Sequence, residues 1–111
     1  MKVNALSEVF TPLTDATEEA LAKEIKSVFC CDLLSFVMGR AKAESAWVTV
    51  MGNVNAIAVA TLADISCIVL AENVAPDEAM IVRAQSEDIA LYKSEMPIFE
   101  AAKAIDALLE A

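Results

Sequence analysis

The sequence contains no histidine among its 111 residues. Histidine is the commonest general base, the usual partner of a serine or cysteine nucleophile, and a frequent ligand of catalytic zinc. Without it, any catalysis would have to rely on carboxylates, lysine, tyrosine or thiols alone. We therefore expect no catalytic residues, no metal site and no cofactor, and we predict that the protein is not an enzyme.

Glycine and cysteine are also scarce. Gly39 and Gly52 are the only glycines, and neither G-x-x-x-x-G-K nor G-x-G-x-x-G occurs, which excludes two common phosphate-binding loops. The three cysteines, Cys30, Cys31 and Cys67, form no C-x-x-C motif. Adjacent residues of a strand point to opposite faces, so Cys30 and Cys31 cannot share one metal, and a disulfide between them would be strained. We predict buried, reduced cysteines and a cytoplasmic protein.

Basic residues are few, because eight Lys and Arg stand against 17 Asp and Glu, for a net charge of −9. A phosphate backbone or an anionic membrane surface would repel such a chain, and no basic stripe offsets the repulsion. We therefore expect no nucleic-acid partner and no membrane partner. The first ten residues lack a basic segment followed by an apolar one, so we also expect no signal peptide.

What the chain has in excess is small and branched apolar residues. The hydrophobic fraction is 58%, although aromatic residues make up only 5%. Such residues suit helices that pack closely on a sheet. A surplus of this size in a small domain indicates that some apolar surface is buried against a partner, most simply a second copy of the chain. We therefore expect a homodimer.

The longest uncharged run, residues 45–63, has the length of a membrane-spanning helix. Gly52 and Asn53 interrupt it, other polar residues are scattered through it, and no basic cluster flanks it. A strand, a turn and a buried helix explain the run better than a membrane span does.

The order of apolar patterns predicts the fold. From residue 25 onwards, strands alternate with helices over short connections, which is typical of a small, mostly parallel sheet with helices packed on it. We predict one α/β domain over residues 1–111. The predicted elements are a helix at 2–10, an edge strand at 10–14, an irregular segment at 15–24, strands at 25–31, 46–50, 66–71 and 89–92, a helix from an N-cap at Asp32 to Gly39, a helix at 54–63 capped by Asn53, a helix from Pro76 at its first position to about 87, and a helix at 97–109.

Ligands of open α/β sheets bind beyond the carboxyl ends of the strands. In this chain the polar residues at those ends are Asp32, Gly52, Asn53, Asn73 and Lys93, and we predict that any ligand site lies among them. The free N–H groups after Gly52 could hold an anion at a helix N-terminus. The alternative is purely structural: Asp32 and Asn53 cap helices, and Gly52 permits a tight turn.

Three segments resemble the DRTGG domain family: C-C-D-L-L-S-F-V-M-G, A-W-V-T-V-M-G-N-V-N-A-I-A-V-A and D-I-S-C-I-V-L-A-E-N-V-A-P-D. This family is similar to the N-terminal domain of HPr kinase/phosphorylase. Related domains occur in phosphotransacetylases and in CBS-domain inorganic pyrophosphatases, where they accompany domains that sense adenine nucleotides. The resemblance implies a small α/β domain, often dimeric, with a regulatory rather than a catalytic role.

The segment that gives the family its name should fall near residues 20–27. There Ala22 stands in place of the Asp, Lys23 in place of the Arg, and Ser27 in place of the following Gly. Lysine keeps the positive charge but lacks the bidentate fork of arginine, so any role of that Asp and Arg is in doubt here. The positions that match the family are Asp32, Ser35, Gly52 and Asn53.

We therefore expect a non-catalytic regulatory or protein-interaction module that works as a homodimer. The alternative is a sensor of a small ligand, such as a nucleotide or a phosphorylated metabolite, bound at the strand ends.

Overall fold

Five strands form one mixed sheet, and helices cover both of its faces. The computed structural model describes residues 1–111. The chain begins with a 3₁₀ helix at Val3–Glu8. The other elements, in chain order, are β1 (Thr11–Pro12), α1 (Glu18–Leu21), β2 (Ser27–Cys30), α2 (Leu34–Arg40), β3 (Ser45–Thr49), α3 (Val54–Leu62), β4 (Cys67–Leu70), α4 (Glu78–Ser86), β5 (Ala90–Lys93) and α5 (Ile98–Glu110).

The strand order across the sheet is β1-β5-β4-β3-β2. Strands β2 to β5 are parallel and lie side by side in chain order, whereas β1 pairs antiparallel with β5. The prediction of a mostly parallel α/β sheet is therefore confirmed. The short β1, which contains Pro12, lies at one edge as predicted, since proline cannot donate a ladder hydrogen bond.

Helices α2, α3 and α4 cover one face of the sheet, and α5 covers the other together with the 3₁₀ helix. Strand β3 shows the division, because Trp47 packs in the core beneath α2–α4, whereas Ala46 and Val48 pack beneath α5. All residues of β3 and β4 are buried, as expected for strands covered on both faces. In the run at 45–63, β3 is wholly buried, whereas α3 buries one side only and exposes residues such as Ala58 and Leu62, so the prediction of a buried helix holds for that side alone. None of the helices has both the length and the apolar character that a membrane crossing requires.

Two details of the N-terminal half differ from the predictions. The first helix is a 3₁₀ helix rather than an α-helix. The segment predicted to be irregular contains the short helix α1. At its start the Thr17 hydroxyl oxygen accepts a hydrogen bond from the Ala20 amide at 3.1 Å and caps the helix. A threonine followed by two glutamates is a helix-start signal, so the sequence did carry the information.

Three predicted helix boundaries are wrong. The N-cap of α2 is Leu33 rather than Asp32, and Gly39 lies inside α2 instead of ending it. The N-cap of α4 is Asp77, which accepts from the Met80 amide at 2.8 Å, so Pro76 precedes the cap and is not the first helical residue. In each case the observed boundary lies within two residues of the predicted one.

Candidate functional site

Asp32 links the end of β2 to the end of β3 through hydrogen bonds. Its Oδ1 accepts a hydrogen bond from the Thr49 hydroxyl at 2.6 Å and another from the Val50 amide at 2.9 Å. The Thr49 hydroxyl oxygen in turn accepts from the Met51 amide at 3.2 Å. This bonding explains why Asp32 does not cap α2, since its carboxylate is turned towards the neighbouring strand.

Gly52 and Asn53 form the turn between β3 and α3. The Asn53 side chain accepts from the Asn55 amide at 3.0 Å, which confirms its predicted role as the N-cap of α3. The φ of Gly52 is not positive, but a Cβ added there would lie 2.8 Å from the carbonyl oxygen of Ala75. Gly52 is therefore required by close packing of the β4–α4 loop. Its own carbonyl oxygen accepts from the Asp77 amide at 2.8 Å.

Asn73 and Lys93 lie at the ends of β4 and β5. Asn73 adopts a left-handed backbone with φ of 57°, and its amide donates to the Ser94 carbonyl oxygen at 2.8 Å. Lys93 pairs with Leu70 on one side and Thr11 on the other. The surface depression that includes Lys93 contains none of the other four predicted residues; it is lined by Val9, Thr11, Lys93, Ser94, Glu95 and Met96.

The structure thus brings all five predicted residues to one end of the sheet. Asp32, Gly52 and Asn53 each use an acceptor oxygen for a hydrogen bond within the chain, and Asn73 uses its backbone amide. The strand order offers no crevice either, because β2 to β5 follow one another without a reversal. A reversal of strand order is what opens the ligand site in doubly wound sheets. The loops at this end of the sheet are held to one another by hydrogen bonds within the chain.

The cysteines show no sign of an activated nucleophile. Cys67 is buried as predicted, and burial raises the pKa of its thiol to about 12. Cys30 is exposed, contrary to the prediction, because it lies on an edge strand. Partial burial, followed by the charges of Asp32 and Cys31, raises the pKa of Cys30 as well. A raised pKa lowers the thiolate fraction on which nucleophilic attack depends.

No group of three or more His, Cys, Asp or Glu residues could hold a metal ion. Lys23, at the position where the family resemblance places an arginine, serves the fold: its Nζ donates to the carbonyl oxygen of Asp88 at 2.8 Å. Asp88 has a left-handed backbone with φ of 60°, so this bond holds the turn between α4 and β5.

The sequence patterns did not reveal a second surface, at the opposite edge of the sheet from β1. Strand β2 has a neighbour, β3, on one side only. A groove runs between β2 and α5, lined by Lys26, Ser27, Val28, Cys30, Phe99, Ala102, Lys103, Asp106 and Leu109. Phe99 is 67% exposed beside it, and Lys103 lies 5.4 Å from the centre of its ring. We call the free side of β2 together with this groove the β2 edge surface.

The segment that follows β2 adds further exposed apolar area. Leu33, Phe36 and Met38 are 54%, 44% and 49% exposed, and only Val37 of α2 is fully buried. The Arg40 guanidinium lies 4.3 Å from the centre of the Phe36 ring. Helix α2 packs against α3. The apolar excess of the composition is thus partly concentrated around the free sheet edge.

Comparison with known proteins adds no family assignment. No protein-family model matches the chain, and a search of curated proteins returns no match. The likeness to the DRTGG domain therefore remains a prediction from the three quoted segments.

Proposed function

We propose that the protein is a non-catalytic, regulatory interaction module of the cytoplasm that works as a homodimer. The observation that carries this proposal is the β2 edge surface, an unprotected sheet edge beside exposed apolar side chains. The role agrees with what the resemblance to the DRTGG domain implies, and it accounts for the apolar excess of a chain with a net charge of −9.

The two edges of the sheet differ in a way that favours this proposal. Natural sheets blunt their edges with very short strands, prolines or charges, because an open edge pairs with other chains. Strand β1 follows that rule, since it has two residues and one of them is Pro12. Strand β2 has the sequence Ser-Val-Phe-Cys, without proline or charge. An edge of this kind is expected to be covered by a partner.

A catalytic role has little support from the described side chains. The only exposed thiol has a raised pKa, and the carboxylate of Asp32 is held by two donors as a structural acceptor. A nucleophile needs an adjacent base or a lowered pKa, and neither Cys30 nor Cys67 has either.

The competing hypothesis is a sensor of a nucleotide or a phosphorylated metabolite at the strand ends. This hypothesis has less support, because Asp32 Oδ1, the Gly52 carbonyl oxygen and Asn53 Oδ1 already accept hydrogen bonds within the chain. A thermal-shift panel of nucleotides and sugar phosphates separates the two hypotheses. A ligand at 100 times its Kd adds about 2.7 kcal/mol of stability, which is readily detected. We expect no shift with any member of the panel.

Light scattering coupled to size-exclusion chromatography tests the interaction module directly. We expect a mass twice the 11.8 kDa of one chain at micromolar concentration. A monomer at every concentration, together with a ligand-dependent thermal shift, would favour the sensor instead.

A further inference from the structure

We infer that the partner on the β2 edge surface is a second copy of the chain, paired antiparallel through β2 about a two-fold axis at Phe29. The two five-stranded sheets then become one sheet of ten strands. This inference rests on the proposed function, because it specifies how the proposed homodimer forms.

The length of free edge determines where such pairing occurs. The N-terminal segment already lies against the residues before β2, since the Ile25 amide donates to the Met1 carbonyl oxygen at 2.6 Å and Val3 donates to Lys23 at 2.9 Å. Helix α2 begins at Leu34. The edge open to a partner is therefore residues 26–32, of which Ser27–Cys30 are strand and Asp32 lies in a bend.

Two-fold symmetry then restricts the register. Identical surfaces meet isologously in a closed dimer, and a two-fold axis perpendicular to the edge makes the two copies of β2 run antiparallel. The pairing that uses the whole of residues 26–32 is centred on Phe29. It places Lys26 opposite the partner's Asp32, and Val28 opposite the partner's Cys30.

Charge complementarity supports this register. The Lys26 side chain is 68% exposed, with its Nζ 3.3 Å from Glu44 Oε1, and only one carboxylate oxygen of Asp32 takes part in the bonds to Thr49 and Val50. Lys26 and Asp32 lie at opposite ends of the free edge, so the antiparallel arrangement brings opposite charges together twice. The exposed face of α5 carries Lys103 and Asp106 in the groove, which is again one charge of each sign. An antiparallel copy of α5 can match each of these with its opposite. A parallel arrangement would instead bring like charges together.

Exposed apolar side chains beside β2 enlarge the surface that a second copy would cover. Of the eight exposed large apolar side chains, Leu33, Phe36 and Met38 follow β2 in the chain, and Phe99 flanks its groove. A standard interface buries about 800 Å² on each partner. A partner that covers an area of this size would contact α5 on one face of the sheet and α2 on the other, as well as the edge itself. Ala102 in the groove allows the two copies of α5 to come close.

A cysteine pair tests the register. In the V28C variant, the introduced thiol lies opposite the partner's Cys30, so mild oxidation with copper–phenanthroline should give a disulfide-linked dimer on a non-reducing gel. The matched control, V28C/C30S, keeps the introduced thiol and removes the native one that faces it. It should remain uncrosslinked, because Cys67 is buried and Cys31 points to the other face of the sheet.

A charge placed on the edge tests the interface. Cys30 is exposed in the single chain, so C30K should fold, with unchanged Trp47 emission, and should raise the dimer Kd by at least about tenfold through repulsion across the axis. The control A58K adds the same charge on the exposed side of α3 and should leave the Kd unchanged.

The outcomes separate this inference from the proposed function. A monomeric wild-type chain would overturn both. A wild-type dimer that persists in C30K and fails to cross-link in V28C would leave the homodimer standing and overturn pairing through β2. A dimer lost in C30K without cross-linking in V28C would overturn the register about Phe29.

Discussion

The carboxylate of Asp32 and the hydroxyl of Thr49 lie 2.6 Å apart, across the ends of two adjacent parallel strands. The same carboxylate oxygen also accepts from the Val50 amide at 2.9 Å. One exposed side chain thus fixes the point at which β3 leaves the sheet. It also positions the start of the loop that leads to Gly52 and α3.

This arrangement predicts that Asp32 contributes to stability. D32A should lower the free energy of unfolding by about 1–2 kcal/mol, because Thr49 and Val50 lose their common acceptor. D32N should lose less, since an amide oxygen can still accept both bonds. Urea unfolding at fixed protein concentration measures the two changes, and D15A serves as a control that removes one exposed carboxylate elsewhere. Equal stability of D32A and D15A would contradict the structural role.

The two glycines should respond in opposite directions to alanine. G52A should destabilise the protein by about 1–3 kcal/mol, the cost of overpacking, because the new methyl group meets the Ala75 carbonyl oxygen. At Gly39 there is no atom within 4 Å of the added Cβ, and the residue is helical. G39A should therefore stabilise α2 by about 0.5–1 kcal/mol through helix propensity. Thermal unfolding of both variants checks the pair, and a stable G52A would show that the β4–α4 loop can move aside.

Left-handed backbone positions offer a stabilising substitution. Glu72 is exposed with φ of 59°, and its amide donates to the Met96 carbonyl oxygen at 2.9 Å. Glycine adopts this conformation without steric cost and keeps that bond, so E72G should raise the free energy of unfolding by about 0.5–1 kcal/mol. E95G removes the same charge where φ is not positive and should bring no gain. A loss of stability in E72G as large as in E95G would rule out relief of backbone strain.

Stability at alkaline pH should depend on Cys67. Burial raises the pKa of its thiol to about 12, whereas an unfolded thiol has a pKa of about 8.5. The unfolded chain therefore loses this proton first. The contribution of Cys67 is complete below about pH 8.5 and is lost as the pH rises towards 12, with a slope of up to about 1.4 kcal/mol per pH unit.

C67A removes the titrating group and tests that slope. The variant should be less stable at neutral pH because it leaves a small cavity, but its free energy of unfolding should fall less steeply above about pH 9. Tyr92 remains in both proteins; burial raises its pKa too, so it contributes equally to both curves. Parallel curves for C67A and the wild type would contradict the assignment.

The sequence predicted the succession of strands and helices because each element carries its own local pattern. The strand at β4 reads as an unbroken apolar run, and Asn53 stands where α3 begins. Local patterns do not show the order of the strands in the sheet. They could therefore not predict that β2 lies at an edge and that Cys30 is exposed. The role of Asp32 was missed for a similar reason. Its partners, Thr49 and Val50, are distant in sequence, whereas α2 begins only two residues after Asp32 and made a helix cap the simpler local explanation.

The ligand site illustrates the same limit. The residues of the predicted ligand site do meet at one end of the sheet, because the carboxyl ends of parallel strands lie at the same edge. They are Asp32, Gly52, Asn53, Asn73 and Lys93. Whether polar groups at that end are free or bonded depends on contacts between loops. The carbonyl oxygen of Ala75 over Gly52 is a contact of this kind, and no local pattern in the sequence indicates it.

The strand order also has a consequence for how the chain folds. Partners in the parallel pairs are 18, 21 and 23 residues apart, as in Ser27 with Ser45, Ala46 with Cys67, and Cys67 with Ala90. Strand β1, by contrast, reaches its partner across 82 residues, from Thr11 to Lys93. Closing the largest loop costs the most chain entropy, so we expect β1 and the 3₁₀ helix to dock last, onto a parallel sheet that assembles one unit at a time. The N-terminal segment would then be the first to detach in hydrogen exchange, while the four parallel strands stay protected.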